Sequence, residues 1–550
     1  MPTSTWKGQV IIALVGSLAV VALVGYFAFN TATQTVPAPG GTFVEGLAGS
    51  PTNLNPLLAP LYGVDQDFIP LLFSGLTKVT GKGDILPDLA ESWTISPDGR
   101  SYVFQLRKDI KWHDGAPFTA DDVIYTVRAL QHPDYPGPPD LARLWRNVAV
   151  EQNGDFAVKF TLKDTFAPFL EYTSIALLPA HLLTAIPVKE LATTQFNAQP
   201  VGTGMYRIKE VSAKNIILDA NPNYHGARPF LARLQFKFYI NGNAALNALA
   251  QGEVMAVGRL SPGDLPKLRE NPRLTIYSSP LSSYAVIFLN LKMPFFQDRL
   301  VRQALIYAID RQKLIDVILG GQGQKADSPI LPSSWAYNPR VKRYDYNPDQ
   351  AKALLDKAGW KVTNGVREKD GIKLEFTLRT NDDGIRTRII QEVSRELTEV
   401  GVKVDPQVSP AAELVREYLM PRRFDALLYM WANLPSDPDP YEMWHSSQTG
   451  EDGLNFCFFA NRQADELLEN ARRTLDRAER TKMYQEFQET FAEEAPVILL
   501  YYPMHSYAVN KEVKGVQVGP LTSPSDRFRQ IDQWYIATQK KILTEKVKVR

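Results

Sequence analysis

One segment of the sequence, residues 429–440, concentrates side chains that can hold a polar ligand. It reads Tyr-Met-Trp-Ala-Asn-Leu-Pro-Ser-Asp-Pro-Asp-Pro. The rings of Tyr429 and Trp431 can stack on a ligand or pack in a core. Asn433 and Asp437 add an amide and a carboxylate beside them. We therefore predict non-covalent binding at this segment, with Trp431 as its main stacking residue.

The sequence contains no recognisable catalytic or metal-binding motif. Its 6 histidines lack the spacing of a metal pair on a helix or strand; they stand at positions 113, 132, 181, 225, 445 and 505. Neither Gly-x-Ser-x-Gly nor Gly-x-x-x-x-Gly-Lys-Ser/Thr occurs. Paired carboxylates such as Asp121-Asp122 fall at predicted helix ends, where structural roles are ordinary. We predict no metal, no cofactor and no enzymatic activity.

A glycine-punctuated stretch, Pro200-Val-Gly-Thr-Gly-Met-Tyr-Arg207, precedes a strand-like run from Ile208 to Asp219. A phosphate-binding loop would lie between a strand and a helix, whereas the residues after Tyr206 alternate and are β-branched. Gly202 and Gly204 permit backbone angles that other residues resist. We interpret the stretch as a tight crossing between two lobes.

Length and charge limit the class of protein. At 550 residues the chain is too long for one core, and its length predicts about three or four domains. Lys plus Arg at 61 against Asp plus Glu at 60 leaves a net charge of +1, so we expect no nucleic-acid partner. Cys457 is the single cysteine, which excludes a disulfide within the chain. We expect it to be a small buried side chain.

Residues 10–29 form an uncharged and almost wholly apolar run. At about 1.5 Å per residue, a helix of this length spans about 30 Å of hydrocarbon. Bulky Tyr26, Phe27 and Phe29 close the run, where a secretory signal has small residues. We therefore favour an uncleaved membrane anchor over a removed signal. Residues 30–41, small, polar and proline-containing, are predicted to be a linker.

The body of the chain alternates strand-like and helical patterns. The predicted elements are a strand at 42–48, a helix at 70–79, a hairpin around Ser96–Gly99, a helix from Thr119 with Asp122 to about Gln131, helices at 301–318 and 349–358, a strand at 374–378, a helix at 385–400, a strand at 402–408, a charged helical region at 465–494 and a buried strand at 496–502. The strand–helix–strand order between 374 and 408 favours an α/β lobe with some parallel pairing. The charged region is predicted to be a solvated face.

A series of short motifs follows the chain from about residue 42 to 510. They are Pro87-Asp-Leu-Ala-Glu-Ser-Trp93, Trp112-His-Asp-Gly115, Phe118-Thr-Ala-Asp-Asp-Val123, Pro200-Val-Gly-Thr-Gly-Met-Tyr206, Asn221-Pro-Asn-Tyr-His-Gly226, Val301-Arg-Gln-Ala304 and the segment Tyr346 to Gly359. In this order they resemble motifs of the extracytoplasmic solute-binding proteins of ABC transporters, in the peptide and nickel group. Met205 replaces the proline that is usual in the fourth motif.

The resemblance implies an α/β fold of the periplasmic-binding-protein type II class, with two α/β lobes, a hinge and an extra accessory domain. It also implies lobes that are discontinuous in sequence. The predicted organisation is a tail (1–9), an anchor or signal segment (10–29), a linker (30–41), lobe I (42–70, 201–290 and 501–538), the accessory domain (71–200), lobe II (291–500) and a basic, frayed tail (539–550).

In peptide-binding relatives, the segment that resembles 429–440 reads Trp-x-x-Asp-x-x-Asp-Pro, and its first aspartate pairs with the free amine of the peptide. Trp431 and Asp437 match, but Leu434 occupies the amine-binding position. A leucine cannot compensate a buried ammonium. Either Asn433 or Asp439 substitutes, or the ligand is a blocked peptide, a sugar or another small polar molecule. Our hypothesis is the second: the preferred ligand is not an ordinary free-amine peptide.

Two further aromatic positions are candidate ligand contacts. Tyr284 alternates with Val286 and Phe288 on one face of a predicted strand, which fits a core or a cleft equally. Tyr501 and Tyr502 end a strand that returns to the first lobe. We expect one of this pair to face the cleft, and we select Tyr502.

The resemblance implies the substrate-binding component of an ABC importer. Such a protein captures a peptide or peptide-like solute by hinge closure and delivers it to a membrane permease. We expect an extracytoplasmic monomer, in the periplasm or on the outer face of the cytoplasmic membrane, tethered by its N-terminal helix. The alternatives are a binding protein for a non-peptide solute such as an oligosaccharide, a ligand-sensing domain and an exported hydrolase. The missing triad argues against the last.

Overall fold

Twelve strands of the described chain form one large sheet. The computed structural model describes residues 5–59 and 63–542; predictions for residues 1–4 and 543–550 lie outside them. In spatial order the strands are Lys403–Ser409, Glu375–Asn381, Ala426–Trp431, Tyr284–Leu289, Val497–Asn510, Ala256–Val257, Thr42–Ala48, Arg233–Tyr239, Asn215–Ala220 and Tyr206–Val211, while Leu274–Pro280 and Gly323–Lys325 also pair with Val497–Asn510.

The strand Val497–Asn510, named the crossing strand here, joins the two halves of this sheet. Its beginning pairs antiparallel with Tyr284–Leu289, and its end pairs antiparallel with Leu274–Pro280. The chain therefore passes between the halves once through the crossing strand and once through residues 281–283. A buried strand at 496–502 is confirmed, but it continues to Asn510.

The main hydrophobic core of the first half is shared by residues between 43 and 256 and residues between 507 and 534, and a smaller cluster packs around the helix Gly242–Gln251. It includes a 4-stranded antiparallel sheet, Ala90–Ile95, Ser101–Leu106, Ala157–Leu162 and Val148–Gln152. The predicted hairpin is thus confirmed. The helix Ala120–Gln131 also begins as predicted, because the Thr119 amide donates to Asp122 Oδ2 at 2.9 Å in a capping box.

The second half, residues 284–502, has a core on each face of its sheet. Along Tyr284–Leu289, Ala285 and Ile287 enter one core while Val286 and Phe288 enter the other, as the two-residue period of a strand requires. Glu375–Asn381 pairs parallel with Lys403–Ser409, and the helix Gly384–Glu399 connects them. The predicted α/β unit with parallel pairing is confirmed.

The other elements lie around these two halves. The longer helices are Thr5–Ala32, Pro139–Trp145, Gly242–Gln251, Arg299–Tyr307, Pro348–Lys357, Arg462–Arg473 and Arg477–Glu494. The short helices are Ile69–Leu72, Phe169–Tyr172, Ala180–Leu183, Leu265–Arg269, Pro294–Gln297, Arg311–Lys313, Ala411–Glu413 and Tyr441–Trp444. The small sheets are Thr77–Val79 with Ile85–Pro87, Lys361–Thr363 with Val366–Lys369 and Ile372–Lys373, and Thr33–Pro37 with Thr538–Ile542.

Three predicted elements were wrong in extent. The helix at 70–79 ends at Leu72, because the chain at Gly75 packs closely against the loop that contains Ser174. A Cβ atom at Gly75 would lie 2.5 Å from the Ser174 carbonyl oxygen. The run at 208–219 is a hairpin of two strands. The helix at 301–318 breaks after Tyr307, where Asp310 caps a new turn by accepting the Lys313 amide.

The two ends of the described chain pair with each other. Thr33–Pro37 and Thr538–Ile542 form an antiparallel ladder, so part of the predicted linker and the described part of the predicted frayed tail are strands. The preceding helix, Thr5–Ala32, contains the apolar run; its Ile12 and Val21 side chains are 73% and 69% exposed. Counting only described residues, no helix combines the length and apolarity needed to cross a membrane.

The glycine-punctuated stretch packs tightly on the first half. The Gly204 amide donates to the Leu72 carbonyl at 2.9 Å, and the Gly202 amide donates to His113 Nδ1 at 3.2 Å. A Cβ at Gly202 would lie 1.8 Å from the Leu72 oxygen. Neither glycine has a positive φ. The glycines are required by close backbone approach, and not by unusual backbone angles as predicted.

We expect Gly202→Ala to destabilise the protein, because its methyl group would overlap the backbone of Leu72. The loss in the free energy of unfolding should be about 2 kcal/mol or more, measured by urea denaturation. Gly242→Ala is the matched control, since no atom lies within 4 Å of its Cβ position. Equal stability of the two variants would contradict this account.

Candidate functional site

A narrow cleft lies where several distant segments meet. Its walls come from residues 81–83 and 520–529 of the first half, residues 331–334 and 435–436 of the second half, and Ser282 between them. The cleft therefore lies between the halves, beside the link at 281–283.

Trp431 belongs to an aromatic cluster of the second half and is not among the residues that line this cleft. It stacks on Phe456 with centroids 5.7 Å apart and planes at 14°, and it makes edge contacts with Phe288 and Tyr429. Trp431 and Tyr429 are half-buried. The Trp431 Nε1 atom is buried and has no hydrogen-bond partner among the described residues. Packing against these rings thus holds the indole in place, while its Nε1–H group can still donate a hydrogen bond to an acceptor.

Leu434 directly precedes the cleft wall. It is 7% exposed, and its amide donates to the Ser282 carbonyl at 2.9 Å. The next residues, Pro435 and Ser436, line the cleft. Asn433 is exposed and lies in the left-handed region at φ 55°, which asparagine tolerates. Neither residue brings a carboxylate to the cleft.

The two aspartates of the 429–440 segment are already paired. Asp437 accepts from both terminal nitrogens of Arg480, at 2.9 and 2.5 Å. Asp439 Oδ2 accepts from Arg472 at 2.8 Å. Arg480 therefore neutralises Asp437, whereas Asp439 keeps one buried oxygen, Oδ1, without a hydrogen-bond partner among the described residues. Asp437 instead fixes the loop to the helix Arg477–Glu494.

Arg480 corrects the prediction that residues 465–494 are a solvated face. Arg480 is only 3% exposed, and Tyr484, Phe487 and Phe491 follow it on the buried face of the helix. The spacing of these residues, at i, i+4, i+7 and i+11, is the signal that could have revealed the buried face.

Glu171 connects the two halves directly. Its Oε1 accepts the Ser436 amide at 2.8 Å, and its Oε2 accepts the Asp437 amide at 2.5 Å. Burial raises the pKa of Glu171 to about 7, assisted by the charge of Asp437 and opposed by the two amides. Glu171 lies in the short helix Phe169–Tyr172, for which no sequence motif predicted a role.

Further contacts close the interface around this pair of hydrogen bonds. Arg477 pairs with Asp84 at 2.9 Å, and the guanidinium of Arg472 lies 5.1 Å from the centroid of Phe166. The Ala167 amide donates to the Arg472 carbonyl at 2.9 Å. The described conformation is therefore one in which the halves touch.

The structure places the predicted tyrosines inside a core. Tyr284 is fully buried, and its hydroxyl lies 3.8 Å from Met443 Sδ. Tyr502 is 1% exposed and donates to the Ser328 carbonyl at 2.7 Å. Tyr501 is 3% exposed. Tyr501 packs into the core on one face of the sheet and Tyr502 into the core on the other, so the expectation that one of them faces the cleft is not supported. Cys457 is fully buried, as predicted.

Comparison with known proteins confirms the resemblance seen in the motifs. Residues 84–453 match the family model for bacterial extracellular solute-binding proteins, family 5 Middle. The chain is 34% identical over 516 residues to the oligopeptide-binding protein AppA of Bacillus subtilis, covering 91% of this chain and 92% of that protein.

Solved structures of two relatives have the same fold. The structure of AppA from Bacillus subtilis in complex with a nonapeptide matches with a TM-score of 0.72 at 33% identity, covering 91% of this chain and 100% of that one. NikZ from Campylobacter jejuni in complex with Ni(L-His) matches with a TM-score of 0.72 at 29% identity, covering 90% and 99%. The predicted type II fold with two α/β lobes is confirmed. The chain belongs to the bacterial extracellular solute-binding proteins of family 5.

Proposed function

We propose that this protein is the substrate-binding component of an ABC importer, capturing a short peptide or peptide-like solute between its halves. The observation that carries the proposal is the cleft at the junction of the halves, which is lined by residues of both. The similarity to AppA, a protein named for binding oligopeptides and solved with a nonapeptide, supports a peptide-like cargo. No covalent step is part of the proposed function.

The proposed mechanism is closure of the halves around the ligand. The crossing strand and residues 281–283 are the connections about which the halves rotate. A ligand that contacts both walls binds the closed state better and shifts the population toward it. We assign 42–70, 201–290 and 501–538 to lobe I, 71–200 to the accessory domain and 291–500 to lobe II. The closed monomer then docks on a membrane permease.

Trp431 is the proposed ligand contact within the 429–440 segment. Its buried Nε1 donor has no partner among the described residues, and a ligand carbonyl that reached it would supply the missing acceptor. Leu434 makes the amine-binding position apolar, because its side chain replaces the carboxylate that would hold an amine. The proposed cargo is therefore a peptide whose amine is blocked or lies elsewhere.

The apolar run at 10–29 is the proposed membrane tether. Its support is the uncharged sequence and the exposure of apolar side chains such as Ile12 and Val21 in the helix Thr5–Ala32. The body would then lie outside the cytoplasmic membrane, next to its permease.

We expect the full chain to stay with the membrane after alkaline carbonate extraction and a variant lacking residues 10–29 to be released. Mass spectrometry of the membrane-bound protein should detect the N-terminal peptide. Release of the full chain, or loss of that peptide, would contradict an uncleaved tether and favour a removed signal.

Blocking the amine of a peptide should not weaken its binding. We expect calorimetry to show that N-acetylated di- and tripeptides bind at least as tightly as the unmodified ones. Leu434→Asp should shift the preference toward the free amine by about tenfold, since one charged pair is added, whereas the uncharged control Leu434→Asn should not. A strong preference of the unaltered protein for the free amine would contradict the proposal.

Glu171 should make closure dependent on pH. Because its pKa of about 7 in the closed state is above the ordinary 4.5, closure takes up a proton. This contribution is complete below about pH 4.5 and is lost as the pH rises through 7. Hydrogen exchange at the Ser436 and Asp437 amides, corrected for its intrinsic pH dependence, should show less protection at about pH 8 than at about pH 5.

Glu171→Gln should remove this pH dependence, because its neutral amide side chain does not titrate, and protection of the two amides should be the same at about pH 8 as at about pH 5. Glu151→Gln is the control, since Glu151 is an exposed glutamate of the same half. Identical exchange profiles for the Glu171 variant and the control would disprove the role of Glu171.

A further inference from the structure

The wall of the interlobe cleft carries cations and hydroxyl groups but, among the described residues, no carboxylate. Lys82 and Arg529 supply the positive charges, and Ser282, Ser333 and Ser436 are among the hydroxyl residues. The cations lie on the first half, while Ser333 and Ser436 lie on the second. The two sides of the cleft therefore offer different donors to one ligand.

Lys82 contributes an uncompensated charge. It lies in the turn between Thr77–Val79 and Ile85–Pro87, is exposed to solvent, and has no side-chain hydrogen bond or ion pair with another described residue. Its neighbour Asp84 is already paired with Arg477 at 2.9 Å. Lys82 can therefore attract an anion without first breaking an ion pair.

Arg529 is held in place beside that turn. Its Nη2 pairs with Asp526 at 2.8 Å, and its Nη1 donates to the Pro520 carbonyl at 3.1 Å. A Cβ on Gly81 would lie 3.3 Å from Nη1, so the guanidinium reaches the turn that carries Lys82. A guanidinium has five N–H donors, and these contacts leave others for a ligand.

The carboxylates around the cleft are all engaged. Asp526 Oδ2 also accepts the Thr522 and Ser523 amides, Asp437 is paired with Arg480, and Glu171 accepts two amides. A ligand ammonium here would meet Lys82 and Arg529, and would find no unpaired carboxylate on the cleft wall.

The hydroxyl groups of the opposite wall, and that of Ser282 between the halves, are free to donate. Those of Ser282, Ser333 and Ser436 have no hydrogen bond with another described residue. A carboxylate has room for several donors, and a guanidinium can bind it with two parallel hydrogen bonds. An anion in the cleft can therefore accept from both halves at once, which favours the closed state.

We propose that the cleft recognises its ligand through an anionic group held by Lys82 and Arg529, and that in a peptide cargo this group is the C-terminal carboxylate. The peptide part of this inference rests on the proposed function, whereas the charge of the bound group does not. The polarity of the site is thus opposite to that of a site built around an amine-binding aspartate.

The test uses the full chain in detergent micelles and native mass spectrometry, with N-acetylated di- and tripeptide mixtures as free acids and as C-terminal amides. A third arm contains small non-peptide carboxylates, succinate and citrate. We expect the free acids to bind at least about tenfold better than the amides, and the preference to weaken as salt is raised.

Variants connect the preference to the two cations. Lys82→Met should lower binding of the free acids by about tenfold, Arg529→Met should do the same, and Arg529→Lys should restore part of the loss. Lys214→Met, at an exposed lysine in the turn after Tyr206–Val211, is the control and should bind like the unaltered protein. If Arg529→Met fails to fold, Lys82→Met carries the test, because its side chain is exposed.

The outcomes separate this inference from the proposed function. Equal binding of acids and amides would overturn the inference and leave peptide capture standing. Binding of succinate or citrate alone, with the same dependence on Lys82, would support the anion site and overturn the peptide cargo. Binding of no anionic probe, or binding unaffected by both Lys82→Met and Arg529→Met, would overturn the inference.

Discussion

The crossing strand is the constraint on which the rest of the structure depends. Its backbone hydrogen bonds are shared between Tyr284–Leu289 in the second half and Leu274–Pro280 at the other end. Sliding one half past the other would break a ladder, because each residue of a strand has a fixed partner. Rotation changes the short region between these two ladders, where Gly323–Lys325 pairs with residues 501–503. The geometry therefore favours hinge closure and brings the cleft next to the pivot at Ser282.

A buried ion network holds the cleft wall of the first half to the sheet. Arg527 pairs with Glu45 at 2.7 Å and with Asp67 at 2.8 Å, and Tyr507 of the crossing strand donates to Glu45 at 2.7 Å. A buried carboxylate without a partner is costly, so both acids require Arg527 to stay where it is. Because Arg529 is two residues away, the network also limits the position of the cleft cation.

Local sequence signals predicted those elements of secondary structure that depend on neighbouring residues. The Thr119 cap, the hairpin at Ser96–Gly99 and the unit at 374–409 were predicted because turn chemistry and hydrophobic periodicity act over a few residues. Contacts between remote segments have no such signal. Glu171 binds amides that are 265 and 266 positions away, and nothing around it in the sequence indicates that partner.

The same limit explains the outcome for the candidate site. The spacing of Trp431 and Asp437 drew attention to the 429–440 segment, of which Pro435 and Ser436 line the cleft. Only the fold shows that Arg480 already neutralises Asp437 and that the second half encloses Tyr284 and Tyr502. A strand pattern cannot distinguish a core face from a cleft face, because both are apolar and both have a period of two.

The interface and the cleft follow one electrostatic rule. At the interface, a carboxylate of the first half, Glu171, accepts amides of the second half, so closure satisfies donors that opening would expose to water. In the cleft, the hydroxyls of Ser333 and Ser436 and the cations of the first half are donors without a shared acceptor. A ligand that brings a carboxylate supplies this acceptor, whereas an ammonium adds one more donor. The ligand carboxylate then connects the two halves by accepting hydrogen bonds, as the carboxylate of Glu171 does. Binding and closure are coupled because this acceptor contacts both halves only in the closed state.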